Sequence, residues 1–501
     1  MRAALTLAAA CLLALAGCDV LLPDKGDLGE PCLGSGICKG SLQCRGGVCS
    51  LPTEDGADGF DGWDGGEDGA DANAEDAGED AGEDAGEDAG EDAGEDAGED
   101  AGEDAGEDAG EDAGEDGEDA EDAGADCTPG VELFAARVDY PTGGSSVAVA
   151  TGDLNGDQIL DLAVVVGSTN QVGILLGNGT GGVGDGTFAG VTPYPTDAAP
   201  WSLAVGDFNH DQILDLAVGC SSNSKVSVLL GQGSGNVGDG TFGARTDYAT
   251  AAGPIGITAG DFNADQTLDL AVALNGSNAV SVLLGHETSG EADGTFPAHA
   301  EYPTGQSPWS LVHGDFNEDG ILDLAVPSIA DDSIGVLLGN QVGGAADGTF
   351  AAKADYGCGD ESVAAAHADF DQDGIPDLAV VSMLDDTVSV LLGNGDAGVG
   401  DGTFAARVTY ATGDRPIAVL AGDLDSDGLL DLVTANNHGD SLSLLPGNGD
   451  GTFDPARPLS ASSYPNGLAS GDFNGDGLTD LAIANQGSND VSVLLRQNPC
   501  P

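Results

Sequence analysis

A nine-residue phrase repeated seven times constrains this chain more than any other feature. Its first copy runs Asp153-Leu154-Asn155-Gly156-Asp157-Gln158-Ile159-Leu160-Asp161, and the others begin at Asp207, Asp261, Asp315, Asp369, Asp423 and Asp472. Successive starts are 54 residues apart five times and 49 once. A period of this kind marks a repeat architecture, in which a unit buries its apolar surface only against its neighbours. Around the phrase each unit reads the same way. A short run ends in Gly-Asp and enters the loop, and Asp-Leu-Ala-Val leaves it. A polar turn, Val-Ser-Val-Leu-Leu-Gly, a Gly-rich turn, Gly-Thr-Phe and a six-residue run to Tyr follow. These are four Val-, Ile- and Leu-rich strands separated by Gly, Asn, Asp and Pro turns. In the fourth unit the expected strands are 309–314, 322–327, 334–338 and 350–356. Seven four-stranded units predict an all-β fold, a seven-bladed β-propeller, which handles the sheet-edge problem by closing in a ring. A linear β-solenoid is the alternative, although solenoid repeats are usually shorter.

Oxygen-bearing side chains stand at positions 1, 3, 5 and 9 of every phrase, and the position-7 carbonyl can add a fifth oxygen. That is the donor set of a hard cation such as Ca2+. In order through positions 1, 3, 5, 7 and 9, the candidate ligands of blade 1 are Asp153, Asn155, Asp157, Ile159 and Asp161. Those of blade 2 are Asp207, Asn209, Asp211, Ile213 and Asp215, and those of blade 3 are Asp261, Asn263, Asp265, Thr267 and Asp269. Blade 4 offers Asp315, Asn317, Asp319, Ile321 and Asp323; blade 5 offers Asp369, Asp371, Asp373, Ile375 and Asp377. Blade 6 offers Asp423, Asp425, Asp427, Leu429 and Asp431; blade 7 offers Asp472, Asn474, Asp476, Leu478 and Asp480. Up to seven structural calcium ions are expected, and the four-Asp loops of blades 5 and 6 should be the strongest sites. Gly320, Gly374, Gly428 and Gly477 at position 6 permit the sharp turn such a loop wants. Gln158, Gln212 and Gln266 tolerate a positive φ poorly, which predicts weaker or less regular sites in blades 1 to 3.

The D-x-[DN]-x-D-G-x-x-D-L pattern, as in Asp315-Phe316-Asn317-Glu318-Asp319-Gly320-Ile321-Leu322-Asp323-Leu324, resembles the FG-GAP and VCBS-type repeats of integrin α-subunit heads and many bacterial surface proteins. The resemblance covers residues 131 to 496, about three quarters of the chain. It implies that the loop joins strands 1 and 2 of a blade and holds calcium on the lower face. Binding would then fall to the opposite, upper rim. The first unit has a spare strand, 134–140, before its loop, and the last unit lacks one. Pairing the two ends would close the ring and bring Cys127 and Cys500 to the same end, so a Cys127–Cys500 disulfide is expected there. Such a bond would stabilise by roughly 2–5 kcal/mol. Cys220 and Cys358 fall far apart on a ring and are expected to be free.

The N-terminal quarter reads differently. Residues 1–17 form a basic, then apolar leader, and Leu15-Ala16-Gly17-Cys18 resembles the lipobox of bacterial lipoproteins, which implies lipidation at Cys18. Residues 18–50 hold Cys32, Cys38, Cys44 and Cys49, read as two disulfides of open pairing in an exported chain; a zinc site is the rival. Residues 51–126 carry 35 acidic residues and no Lys or Arg, with ten tandem Ala-Gly-Glu-Asp copies from Ala77 to Asp116. A segment so charged and so poor in apolar residues reads as a disordered stalk, with a reach of at most roughly 250 Å. Residues 127–501 make the propeller.

Net charge is −76, from 88 acidic and 12 basic residues. With no basic surface, nucleic acid and anionic lipid are poor partners, and divalent cations are the natural counter-charge. The six histidines are scattered and no nucleophile or phosphate motif occurs, so no catalytic residue is assigned. The expectation is a monomeric, calcium-binding lipoprotein of the bacterial cell envelope, in the outer membrane or at the cell surface. Its propeller would bind a protein or carbohydrate ligand, with an extracellular hydrolase or lyase as the alternative. Trp201 and Trp309, both six residues before a loop, and Arg415 in a rim turn are the candidate ligand contacts. Ring packing is the competing role for the two tryptophans.

Overall fold

The computed structural model describes residues 133–497 apart from 289, 290, 298 and 397, together with two short strands near the N-terminus. Those strands, Gln43–Arg45 and Val48–Ser50, pair antiparallel with Cys44 opposite Cys49. The leader, Cys18, Cys32, Cys38, the acidic stalk and the Cys127–Cys500 bridge lie outside the described residues. The described residues from 133 to 497 belong to one compact unit.

Every repeat folds into a four-stranded antiparallel sheet. In blade 1, Ser146–Gly152, Asp161–Val166, Gln171–Leu175 and Thr192–Pro195 lie side by side in that order. Five more sheets repeat this order, and the seventh is completed from the other end of the domain. There Val138–Pro141 pairs with Asp490–Leu494, beside Asp480–Asn485 and Pro465–Gly471. The first strand of each blade touches the first strand of the next all the way round, so these strands form a closed inner ring. The fold is a seven-bladed propeller, and the solenoid is overturned. The closing strand is shorter than the expected 134–140: Phe134 makes only an isolated bridge, to Arg496.

The second strand of every blade is buried along its whole length, from Asp161–Val166 to Asp480–Asn485. Its near-continuous apolar run follows from this position, because a neighbouring blade covers each of its faces. The core is accordingly divided among the seams. One apolar cluster joins blades 1 and 2 around Leu154, Val165 and Leu216. Six equivalents fill the other seams.

The Gly-rich stretch does more than turn. In blades 1 to 5 it forms a hairpin of its own, such as Gly177–Thr180 with Val183–Phe188. The Gly-Thr-Phe triplet therefore closes that hairpin, and the outer strand shrinks to about four residues, Ala354–Gly357 in blade 4. Each hairpin lies on the acidic loop of the preceding blade. A Cβ at Gly184 would come within 2.1 Å of the Phe473 carbonyl oxygen, so this approach requires glycine. The Phe of the triplet then slots between the outer-strand Tyr and the loop Phe of that neighbour, or Leu154 where the neighbour is blade 1. Tyr140, Phe188 and Phe473 meet edge to face at centroid distances of 5.6 and 5.5 Å. Blade 4 departs in its inner strand, which is only Val312–Gly314 rather than 309–314. Pro308 makes just an isolated bridge to Ser328 ahead of it.

One seam also has a buried charge lock. Asp197, between blades 1 and 2, accepts bonds from Lys225 Nζ at 2.6 Å, Asn223 Nδ2 at 2.6 Å and the Ala198 N–H at 2.7 Å. Burial raises its pKa, but these donors outweigh burial and hold the carboxyl well below its usual range. A depressed carboxyl contributes stability above the unfolded value near 3.8, and that contribution fades as pH falls through the lower folded value. Asp197→Asn should therefore cost about 1–2 kcal/mol at neutral pH. Urea denaturation should find that difference constant between pH 8 and 5 and shrinking below pH 4.

Candidate metal centre

All seven acidic loops connect strand 1 to strand 2 and share one face, the lower, with the hairpins. The chain makes each of them by placing left-handed residues at positions 4 and 6, as at Gly156 and Gln158 (φ 73° and 68°) or Gln372 and Gly374 (φ 60° and 90°). This turns the position-5, 6 and 7 amides inward onto the side chains. In blade 1, Asp153 accepts from the N–H groups of Asp157 at 3.0 Å and Gln158 at 2.8 Å. Asn155 Oδ1 takes the same Asp157 N–H at 3.0 Å, and Asp157 Oδ1 takes that of Ile159 at 2.9 Å.

The glutamines of blades 1 to 3 were expected to disturb this turn, and they do not. Gln212 and Gln266 adopt φ of 67° and 73° and keep the position-6 bond to the first aspartate at 2.9 and 2.8 Å. The charge-assisted N–H bonds offset the left-handed cost, which is roughly 1–2 kcal/mol for a residue with a Cβ.

Position 9 is set apart from the other ligand candidates. Asp161 is fully buried; its Oδ2 accepts the Leu154 N–H at 2.9 Å and its Oδ1 the Gly177 N–H at 2.8 Å. Asp215, Asp269, Asp323, Asp377 and Asp431 repeat both bonds. In blade 7, Asp480 takes its second bond from the Arg496 N–H. This carboxylate thus ties the loop to the end of strand 3. Burial pushes it up to about 7 at Asp215, Asp269, Asp323 and Asp377 and to about 6 at Asp161, Asp431 and Asp480; the two N–H bonds oppose the rise. Reading the sequence as a ligand pattern missed this role. Its signal was present: a Gly sixteen residues after the last loop Asp in six units, and an Arg in the seventh.

The loops differ in what remains available to an ion. In blade 5, oxygens of Asp369, Asp371 and Asp373 lie within 4.8 Å of one another, and in blade 6 those of Asp423, Asp425 and Asp431 do. Asp423 Oδ1 and Asp425 Oδ1 are buried and accept no hydrogen bond. Orphaned carboxylate oxygens converging with no nitrogen or sulfur among them fit a hard divalent cation.

The opposite, upper face carries the strand 2–3 turns and the connections between blades. Trp201 and Trp309, from blades 2 and 4, are both half-buried and meet edge to face at 5.8 Å. Two non-adjacent blades thus touch across the mouth of the inner ring, and both tryptophans also pack against apolar seam clusters. Arg415 lies elsewhere on this face, with Nη1 3.4 Å from His438 Nε2 and Nη2 3.5 Å from Met383 Sδ. His438 in turn packs edge-on to Tyr464 at 5.7 Å. Cys220 and Cys358 are buried and free.

A closed ring of seven sheets, with an acidic loop at the foot of each, defines a repeat propeller. Residues 153–218, 263–326, 369–434 and 423–483 match the model described as FG-GAP-like repeat, and the chain carries FG-GAP-like repeats. No curated protein matches it. Among solved structures, BBS1N in complex with ARL6DN, soaked with mercury, aligns over 73% of this chain and 97% of that one, with 13% identity and a TM-score of 0.49. A functionally unknown protein from Desulfotomaculum acetoxidans DSM 771 covers 64% of this chain and 90% of its own, at 13% identity and TM-score 0.42. A protein from Lactobacillus plantarum covers 64% and 86%, at 16% and 0.45.

Replacing Gln158, Gln212 and Gln266 with Gly removes the left-handed cost without touching a loop bond. Each substitution should stabilise by about 0.5–1 kcal/mol, read as a raised urea midpoint. A fall in the midpoint would mean that the glutamine side chains themselves hold the turn.

Proposed function

We propose that this protein is an exported, lipid-anchored component of the bacterial cell envelope whose propeller binds a protein ligand on its upper face. In this reading calcium in the lower-face loops stiffens the ring, and the acidic segment before it is a spacer from the membrane. The observation that carries the proposal is the contrast between the two faces. The lower face repeats from blade to blade in loop, hairpin and Phe–Tyr packing, as a scaffold should. The upper face varies: Arg415, His438, Tyr464 and the exposed Leu384 gather on blades 5 to 7. Arg and Tyr beside an apolar residue are the side chains that most often dominate protein interfaces. Seven clustered carboxylate loops also repel one another, so a divalent ion that binds only the folded ring should raise its stability.

Arrays of proteins and glycans, probed with the purified protein in calcium and in EDTA, test this reading. Binding to a protein that falls at least about tenfold on Arg415→Ala is the expected result, together with a melting temperature that drops in EDTA. Binding that survives upper-face substitutions and is lost on changing the lower-face loops would place function on the wrong side of the disc. A glycan hit dependent on Trp201 and Trp309 would replace the protein ligand by a sugar.

A further inference from the structure

Among the described residues, the seam between blades 6 and 7 lacks the part that every other seam has. Elsewhere a Gly-rich hairpin or loop from the following blade covers the acidic loop and, at two seams, donates an N–H to its position-2 carbonyl, as Gly186 does to Phe473 at 3.0 Å and Gly451 to Phe370 at 3.1 Å. Among the described residues blade 7 has no such segment, because its third strand, Asp490–Leu494, and its fourth, Val138–Pro141, come from opposite ends of the propeller and no hairpin joins them. Arg496 fills the place. It stands where the other units have Gly, is 3% exposed, and donates from Nε to the Leu424 carbonyl at 2.7 Å and from Nη2 to that of Asp425 at 2.9 Å. Nη1 reaches the Leu133 carbonyl at 3.0 Å and that of Gln497. One guanidinium thereby joins the blade 6 loop to the segments that lead into and out of the closing strand pair.

All four contacts are carbonyl oxygens, so the guanidinium charge is not spent in a close ion pair. Burial pulls the pKa of Arg496 down, while the carboxylates of Asp425, Asp423 and Asp431 raise it, so its charge lies in the field of the blade 6 cluster. The same loop differs in its own bonds: the position-1 and position-3 oxygens that take the position-5 amide in the other six loops are here buried and without a donor. The aliphatic packing is also particular to this seam, with Phe134 on Leu424 and Leu459 in place of the aromatic stack.

We propose that Arg496 is a resident cation of the blade 6 loop, closing the ring where the covering segment is missing and lowering that loop's affinity for a divalent ion relative to its four-Asp counterpart in blade 5. The second half rests on the calcium reading above. A guanidinium whose charge couples to these carboxylates opposes a doubly charged ion in the same cluster, since charges partly withdrawn from water are weakly screened.

Calcium titrations of the melting temperature, on the full chain and its Arg496→Gln and Arg496→Lys variants, test both halves. In EDTA the Gln variant should melt below wild type. On adding calcium it should gain more than wild type does, with the half-point of its rise at a calcium concentration at least about tenfold lower. The Lys variant, which keeps the charge, should keep the wild-type calcium response. A Gln variant that gains no more than wild type, or a Lys variant that gains as much as Gln, overturns the competition. If wild type and both variants ignore calcium, the calcium reading falls and the competition with it; a Gln variant as stable as wild type in EDTA overturns the closure. Should Arg496→Gln not fold, Asp371→Asn and Asp425→Asn decide the point in the wild-type background. The blade 5 change should remove more of the calcium-induced rise than the blade 6 change, and equal losses overturn the proposal.

Discussion

The structure hangs on a buried carboxylate that appears once per blade. Each position-9 aspartate accepts one amide from its own loop and one from the end of strand 3, so it joins three of the blade's strands at their lower ends. A carboxylate out of water is costly unless its oxygens are bonded. With both oxygens taken by backbone, the loop can adopt little other than the observed turn. That turn places the remaining acidic side chains together at the surface, and it sets the carbonyl onto which the next blade lays its hairpin.

From this tie the seams follow. The hairpin glycines allow backbone to approach backbone, the hairpin Phe is driven between Tyr and Phe of the neighbour, and the apolar second strands are covered on both sides. Stability is therefore distributed over seven nearly equivalent interfaces, in the manner of a repeat protein whose ends have been joined. The exception shows the rule at work. At the closing seam no described residue supplies the covering segment, and a single guanidinium makes carbonyl bonds of the kind that backbone amides make at two other seams.

The two faces of the disc answer to different demands. On the lower face every blade must satisfy the same buried carboxylate, and most receive a hairpin from the next blade, so its residues repeat. On the upper face the turn residue of one blade clips the start of the next. Asn170, Asn278, Asp332, Asp386 and Asp440 each accept the N–H of a left-handed residue across the seam. That clip uses one side chain and leaves the rest of each turn unconstrained. Trp201, Trp309, Arg415, His438 and Tyr464 occupy that freedom.

The sequence by itself determined the seven units, the four strands in each, and a ring closed by its two ends, because period and alternation are direct consequences of strands that bury both faces. It also located the candidate oxygen donors, since their spacing is local to one turn. Tertiary structure decided what lay between units. Period alone could not tell that a Gly-rich stretch would pair with itself and lie on a neighbour, that Gln158 would hold the left-handed turn as Gly320 does, or that position 9 would be tied to an amide sixteen residues on. It could not show Trp201 and Trp309 meeting across the inner ring, or Arg496 standing in for a missing hairpin. Each of these depends on which carbonyl, ring or charge another blade presents, and only the closed ring fixes that.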